Sequence, residues 1–132
     1  RTPGGSGIKF EYCRPIPYID DLAADFPTLQ IIMAHPAFPW VTEQLAILNH
    51  KQNVWIDLSG WSPLYFDPLL IQYANFLISD RVLFGSDYPV IQPDRWLRDW
   101  DEVGFRNEVR RRILFDNANR LLGLNLEYTG DL

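Results

Sequence analysis

Three short stretches of the chain end on side chains that can do acid–base or metal chemistry. His35 follows Ile31-Ile32-Met33-Ala34, Asp57 and Ser59 follow Val54-Trp55-Ile56, and Asp87 follows Val82-Leu83-Phe84-Gly85-Ser86. One imidazole and two carboxylates brought together are the usual materials for a metal site or for proton transfer. A carboxylate on a divalent cation can accept a proton from bound water and leave hydroxide as the nucleophile. A histidine beside the metal then polarises substrate or shuttles protons. Each residue also has a plain structural use: a strand-end histidine is often only a hydrogen-bonded structural group, Asp57 can bind backbone amides, and Asp87 can cap a turn. His50, near the end of a polar helical segment, reads as a structural complement to the helix dipole. Trp40 and Trp61, just past two strand ends, are candidates to line a pocket for a planar or apolar substrate, or to pack the interior of a barrel.

The surrounding sequence supplies the elements that position these groups. PIPYIDDLAADFP predicts a helix, with Ile19, Leu22, Ala23 and Phe26 at helical spacing and a stop at Pro27. LQIIMAH is a continuous apolar run, the pattern of a strand covered on both faces. PWVTEQLAILNHK predicts a helix broken by Asn53, and NVWIDLSG a β-branched and aromatic strand. DPLLIQYANFLISD predicts a helix with Pro68 in its first turn, and RVLFGSD a third strand. PDRWLRDWDEV and NEVRRRILFDNANRLLGL predict closing helices, the last ending near Gly123, while residues 3–7 read as a glycine-rich loop. Helices alternating with strands imply an α/β fold with parallel strands and right-handed crossovers. In such sheets, open or closed, chemistry collects at the C-terminal edge, where His35, Asp57, Ser59 and Asp87 lie. Three strands do not close a barrel, and a (β/α)8 barrel takes about 250 residues. Half a barrel and a small open sheet both fit the pattern.

Composition narrows the function classes. The 132 residues, 47% hydrophobic and 22% charged, suit one domain with a real core. Twelve Lys and Arg against 17 Asp and Glu, a net charge of −5, argue against a general grip on nucleic acid or an anionic membrane. Arg110, Arg111 and Arg112, with Glu108 and Asp116 close by, read as a solvated helix face. Cys13 is the only cysteine, which excludes an intrachain disulfide and suits a reducing compartment such as the cytoplasm. No apolar run approaches the roughly 20 residues that span a bilayer. RTPGGSGIKF has no initiator Met and no signal pattern, and reads as the interior of a longer chain. GGSG at 4–7 is too degenerate to support a nucleotide-binding module, which needs a strand-associated G-x-G-x-x-G or P-loop.

Four segments in order, AHPAFPW (34–40), NVWIDLSGW (53–61), VLFGSDYP (82–89) and NANRLLGL (117–124), resemble the C-terminal half of the amidohydrolase-related metal-dependent hydrolases. The branch they resemble includes aminocarboxymuconate-semialdehyde decarboxylase and the resorcylate decarboxylases, and the likeness runs from about residue 15 to 124. The resemblance implies one partial domain over residues 1–132, carrying strands six to eight of a TIM-type (β/α)8 barrel. It implies one divalent metal, often zinc, at the C-terminal strand ends. It makes Asp87 a metal ligand and proton acceptor, and His35 an acid–base or substrate-polarising group beside the metal. Asp57 and Ser59 match a segment whose role varies in the family, and NANRLLGL a structural closing helix.

The family's His-x-His pair on the first strand and its fifth-strand histidine have no counterpart here, since the only histidines are His35 and His50. A catalytic zinc normally takes three protein ligands, so one carboxylate does not hold it. The expectation is therefore an enzyme portion that is inactive alone. It would act on a small carboxylic acid, amide or ester by hydrolysis or non-oxidative decarboxylation, and would pair with a missing N-terminal half or with another copy. The alternative is a non-catalytic barrel remnant that serves assembly or partner binding.

Overall fold

Short apolar runs bounded by Pro, Asn and Gly become the strands, and the longer amphipathic runs between them become the helices. The computed structural model describes residue 7 and residues 9–130, so the loop expected over 3–7 lies outside the described residues except for Gly7. The elements are α1 (Tyr18–Asp25), β1 (Ile31–Ala34), α2 (Val41–His50), β2 (Val54–Asp57), α3 (Pro68–Phe76), β3 (Val82–Leu83), α4 (Pro93–Asp101), α5 (Asn107–Arg111) and α6 (Asn117–Leu121). Single 3-10 turns at Phe10–Cys13 and Pro63–Tyr65 were not evident in the sequence pattern. Helix α3 starts as its sequence dictates. The Asp67 side chain accepts the Leu69 amide at 2.8 Å, and Pro68 fills the first helical position, where no amide is needed.

The three strands form one parallel sheet in the order β1-β2-β3. Ile31 pairs with Val54, Ala34 with Asp57, and Asp57 with Leu83. Side chains alternate along each strand, so Ile31, Met33, Val54, Ile56 and Val82 share the face turned toward the helices. All five are buried in one core with Leu45, Leu48, Leu70, Ile78 and Ile113. Each such side chain contributes about 1.5–3 kcal/mol when fully buried. The opposite face carries Ile32, Ala34, Trp55, Asp57 and Leu83.

Burial corrects one expectation. Strand β1 is covered on one face only, with Ile31 and Met33 buried, Ala34 exposed and Ile32 46% exposed. It lies at the sheet edge, where its second face borders an open cleft that Tyr12 and Tyr18 help to wall. The coverage of both faces that the apolar run suggested is found at β2, where Val54, Trp55 and Ile56 are all buried.

Strand β3 has two residues and depends on the C-terminal helices. Helices α5 and α6 are joined by a π-helical turn, Arg112–Asp116. Within it the Ile113 carbonyl accepts the Phe84 amide at 3.1 Å. Asn117 Nδ2 donates to the carbonyls of Ser79 (2.8 Å) and Val82 (2.7 Å). Arg111 and Arg112 are exposed, as a solvated face requires, while Arg110 is partly covered and pairs with Asp101 at 2.6 Å.

Candidate active site at the strand ends

The backbone departs from extended geometry at two of the chemistry-bearing residues. His35 has φ +72° and Asp87 φ +69°, both in the left-handed region that few residues other than glycine adopt. Such conformations persist only where their surroundings enforce them, and they gather at functional sites. At His35 the turn interrupts strand alternation at the point where the imidazole meets the next strand. Its backbone is clamped from α2, since the buried Gln44 donates Nε2 to the His35 carbonyl at 2.9 Å and accepts the Ala37 amide at Oε1, also at 2.9 Å.

The imidazole is engaged by the end of β2. His35 Nδ1 lies 2.7 Å from Ser59 Oγ. Ser59 in turn donates its hydroxyl to Asp57 Oδ1, which also accepts the Ser59 amide at 2.8 Å. Two glycines make this approach possible. A Cβ on Gly60 would stand 2.7 Å from His35 Nδ1, and one on Gly85 would stand 2.9 Å from Ser59 Cβ and 3.2 Å from Asp57 Oδ1. Gly60 also has φ +79°.

The order of groups decides what this chain of contacts can do. In a nucleophilic triad the histidine lies between carboxylate and serine. Here the serine lies between carboxylate and histidine and is itself buried, so Ser59 supports the imidazole and is badly placed to attack a substrate. The sequence marks Asp57 and Ser59 as strand-end candidates for acid–base or metal chemistry, but not as the support of His35. Their role depends on the β1–β2 register and the two glycines, of which D-x-S-G gives only a faint sign.

Asp87 sits past β3, on the far side of β2 from His35, about 10 Å away if strands lie roughly 4.8 Å apart. Its carboxylate is half-buried and has no hydrogen-bond or ion-pair partner among the described residues. Gly85, two residues earlier, is the link that brings this segment against Asp57 and Ser59. Among the described residues no three His, Cys, Asp or Glu side chains gather as a metal requires. The donors present therefore do not complete a metal site.

The tryptophans part ways. Trp61 helps to wall a cleft of about 420 Å³ with Gly60, Tyr65, Ile91 and Arg95, and its buried Nε1 has no acceptor among the described residues. Trp40 packs against Phe10, with ring centroids 5.0 Å apart. His50 is exposed at the end of α2, beside Lys51. No helix among the described residues is long and apolar enough to cross a membrane.

A family model described as Amidohydrolase matches residues 3–124. A search of curated proteins found no match. Among solved structures, a TIM-barrel protein from Bordetella bronchiseptica is 30% identical with a TM-score of 0.80, covering 92% of this chain and 43% of that one. A 2,6-dihydroxybenzoate decarboxylase from Rhizobium is 19% identical with a TM-score of 0.62, over 95% of this chain and 50% of that one. A dihydroxybenzoic acid decarboxylase from a Polaromonas species, with bound manganese and the inhibitor 2-nitroresorcinol, is 22% identical with a TM-score of 0.59, over 80% of this chain and 37% of that one. The chain thus spans half or less of the length of these structures.

Proposed function

This chain belongs to the amidohydrolase family, and we propose that it supplies strands six to eight of a (β/α)8 barrel enzyme acting on a small, planar carboxylic acid with one divalent metal, zinc. The reaction is hydrolysis or non-oxidative decarboxylation. The observation that carries the reading is the pair of left-handed strand ends, His35 and Asp87, held at one sheet edge with Ser59 and Asp57 behind the imidazole.

Asp87, whose carboxylate has no partner among the described residues, is this chain's contribution to the metal. The other donors come from residues beyond those described, and the 132 residues taken alone are inactive. His35 moves the proton. In hydrolysis it takes one from the attacking water, and in decarboxylation it gives one to the carbon that has lost carbon dioxide. Trp61 and its cleft hold the flat part of the substrate. The single cysteine, Cys13, suits the reducing cytoplasm to which we assign the protein.

Elemental analysis and turnover of hydroxybenzoates by the protein that carries this chain test the reading. Asp87→Asn is expected to lose bound metal and activity together. His35→Asn is expected to keep the metal and lose roughly 10²–10⁴ in kcat, the usual worth of a positioned acid–base group. Full metal content and full activity in Asp87→Asn would sink the assignment. A second reading, a non-catalytic barrel portion that serves assembly, is favoured by the exposed second face of β1. It predicts that the wild-type protein binds no stoichiometric metal.

A further inference from the structure

We propose that Asp57 and Ser59 are positioning residues that hold the His35 proton on Nδ1, so that Nε2 is the nitrogen presented to the reaction. The inference rests on the reading of His35 as the acid–base group and names what sets its tautomer. Asp57 Oδ1 accepts the Ser59 amide at 2.8 Å, which marks it as an acceptor, and it also receives the Ser59 hydroxyl. A serine hydroxyl has one hydrogen. With that hydrogen committed to Asp57, Ser59 Oγ has only lone pairs left to offer His35 Nδ1 at 2.7 Å. The contact is a hydrogen bond only if Nδ1 carries the proton.

The arrangement is directional and closed to competitors. Ser59 is buried and its Oγ lies 2.7 Å from Nδ1, a direct contact that leaves no room for a water between the partners. The Gln44 clamp on the His35 carbonyl fixes the backbone from the other side. During turnover no proton moves along this line. Ser59 keeps its hydrogen and Nδ1 its own: a proton taken from water arrives on the Nε2 lone pair, and a proton given to carbon leaves from Nε2 of a ring that solvent has first protonated there. The neutral imidazole in water prefers the opposite tautomer, with the proton on Nε2, so the support works against the ring's own tendency and is visible as such.

Nitrogen NMR of the 15N-histidine-labelled protein reads the tautomer directly, with His50→Gln removing the other histidine of this chain. At a pH where the ring is neutral, His35 is expected to show a protonated Nδ1 and a lone-pair Nε2. Ser59→Ala and Asp57→Ala, each checked for a cooperative melt, are expected to shift the ring toward the Nε2-protonated form. Ser59→Thr, which keeps the hydroxyl, is expected to retain the wild-type form. An Nε2-protonated wild type overturns the proposal whether or not any variant folds, and so does an Nδ1 proton that survives in both alanine variants. The readout needs neither metal nor substrate. Metal-dependent turnover with an Nε2-protonated His35 would remove the positioning role and leave the enzyme reading standing. An Nδ1-protonated His35 in a protein without metal-dependent turnover would do the reverse.

Discussion

Gly60 and Gly85 decide whether the support behind His35 can exist at all. At Gly60 a side chain meets the imidazole at 2.7 Å while the backbone holds φ +79°, so Gly60→Ala combines overpacking with left-handed strain. We expect it to cost about 2–4 kcal/mol in urea denaturation. Gly85 lacks the positive φ, and its Cβ would meet Ser59 Cβ at 2.9 Å. Gly85→Ala should cost about 1–3 kcal/mol and push Ser59 off His35, so the tautomer should change with the stability. His35 and Asp87 are legible as candidates from type and place, since both follow an apolar strand and precede a proline-containing turn. Asp57 and Ser59 are legible by place as well, but not as the support of His35. Their function is a distance between two strands, which depends on the pairing of Ala34 with Asp57 and on the missing Cβ atoms of Gly60 and Gly85.

At the scale of elements, the two-residue strand β3 shows what periodicity can and cannot reveal. NEVRRRILFDNANRLLGL reads correctly as helix, but nothing in a 3.6-residue pattern marks the π-helical turn at Arg112–Asp116. The turn makes sense from outside the helix, because its Ile113 carbonyl takes the Phe84 amide. Asn117, one turn on, closes the other end of the strand by holding the Ser79 and Val82 carbonyls with one amide nitrogen. Asn117→Ala orphans two carbonyls in a buried place and should cost on the order of 2–3 kcal/mol by thermal or urea melt. Arg81, 5% exposed, plays the matching part for α2. Its Nη1 donates to the carbonyls of Leu48 and Lys51, while its Nε lies 3.7 Å from Asp80 Oδ1, close enough for attraction and too far for a hydrogen bond. These polar ties position Asp87 by holding the strand that delivers it.

At the scale of the molecule, the sheet has two edges and a second face left open at β1. Ile32 is 46% exposed and Ala34 is exposed, and both help to wall a cleft of about 310 Å³ with Tyr12 and Tyr18, each 60% exposed. A parallel sheet is normally covered on both faces, and an exposed apolar face beside an unpaired strand edge invites association. The TIM-barrel structure from Bordetella bronchiseptica is covered by this chain over only 43% of its length, which fits a face that meets further barrel strands. Taken by itself, the chain should therefore associate through this face, and sedimentation should show mass rising with protein concentration. Removing the exposed half of Ile32 from water is worth about 1 kcal/mol, and a buried unpaired ammonium costs more, so Ile32→Lys should weaken association roughly tenfold or more. A concentration-independent monomer with a cooperative melt would show instead that this face is stable in water, and would count against both its pairing with further strands and the assembly reading.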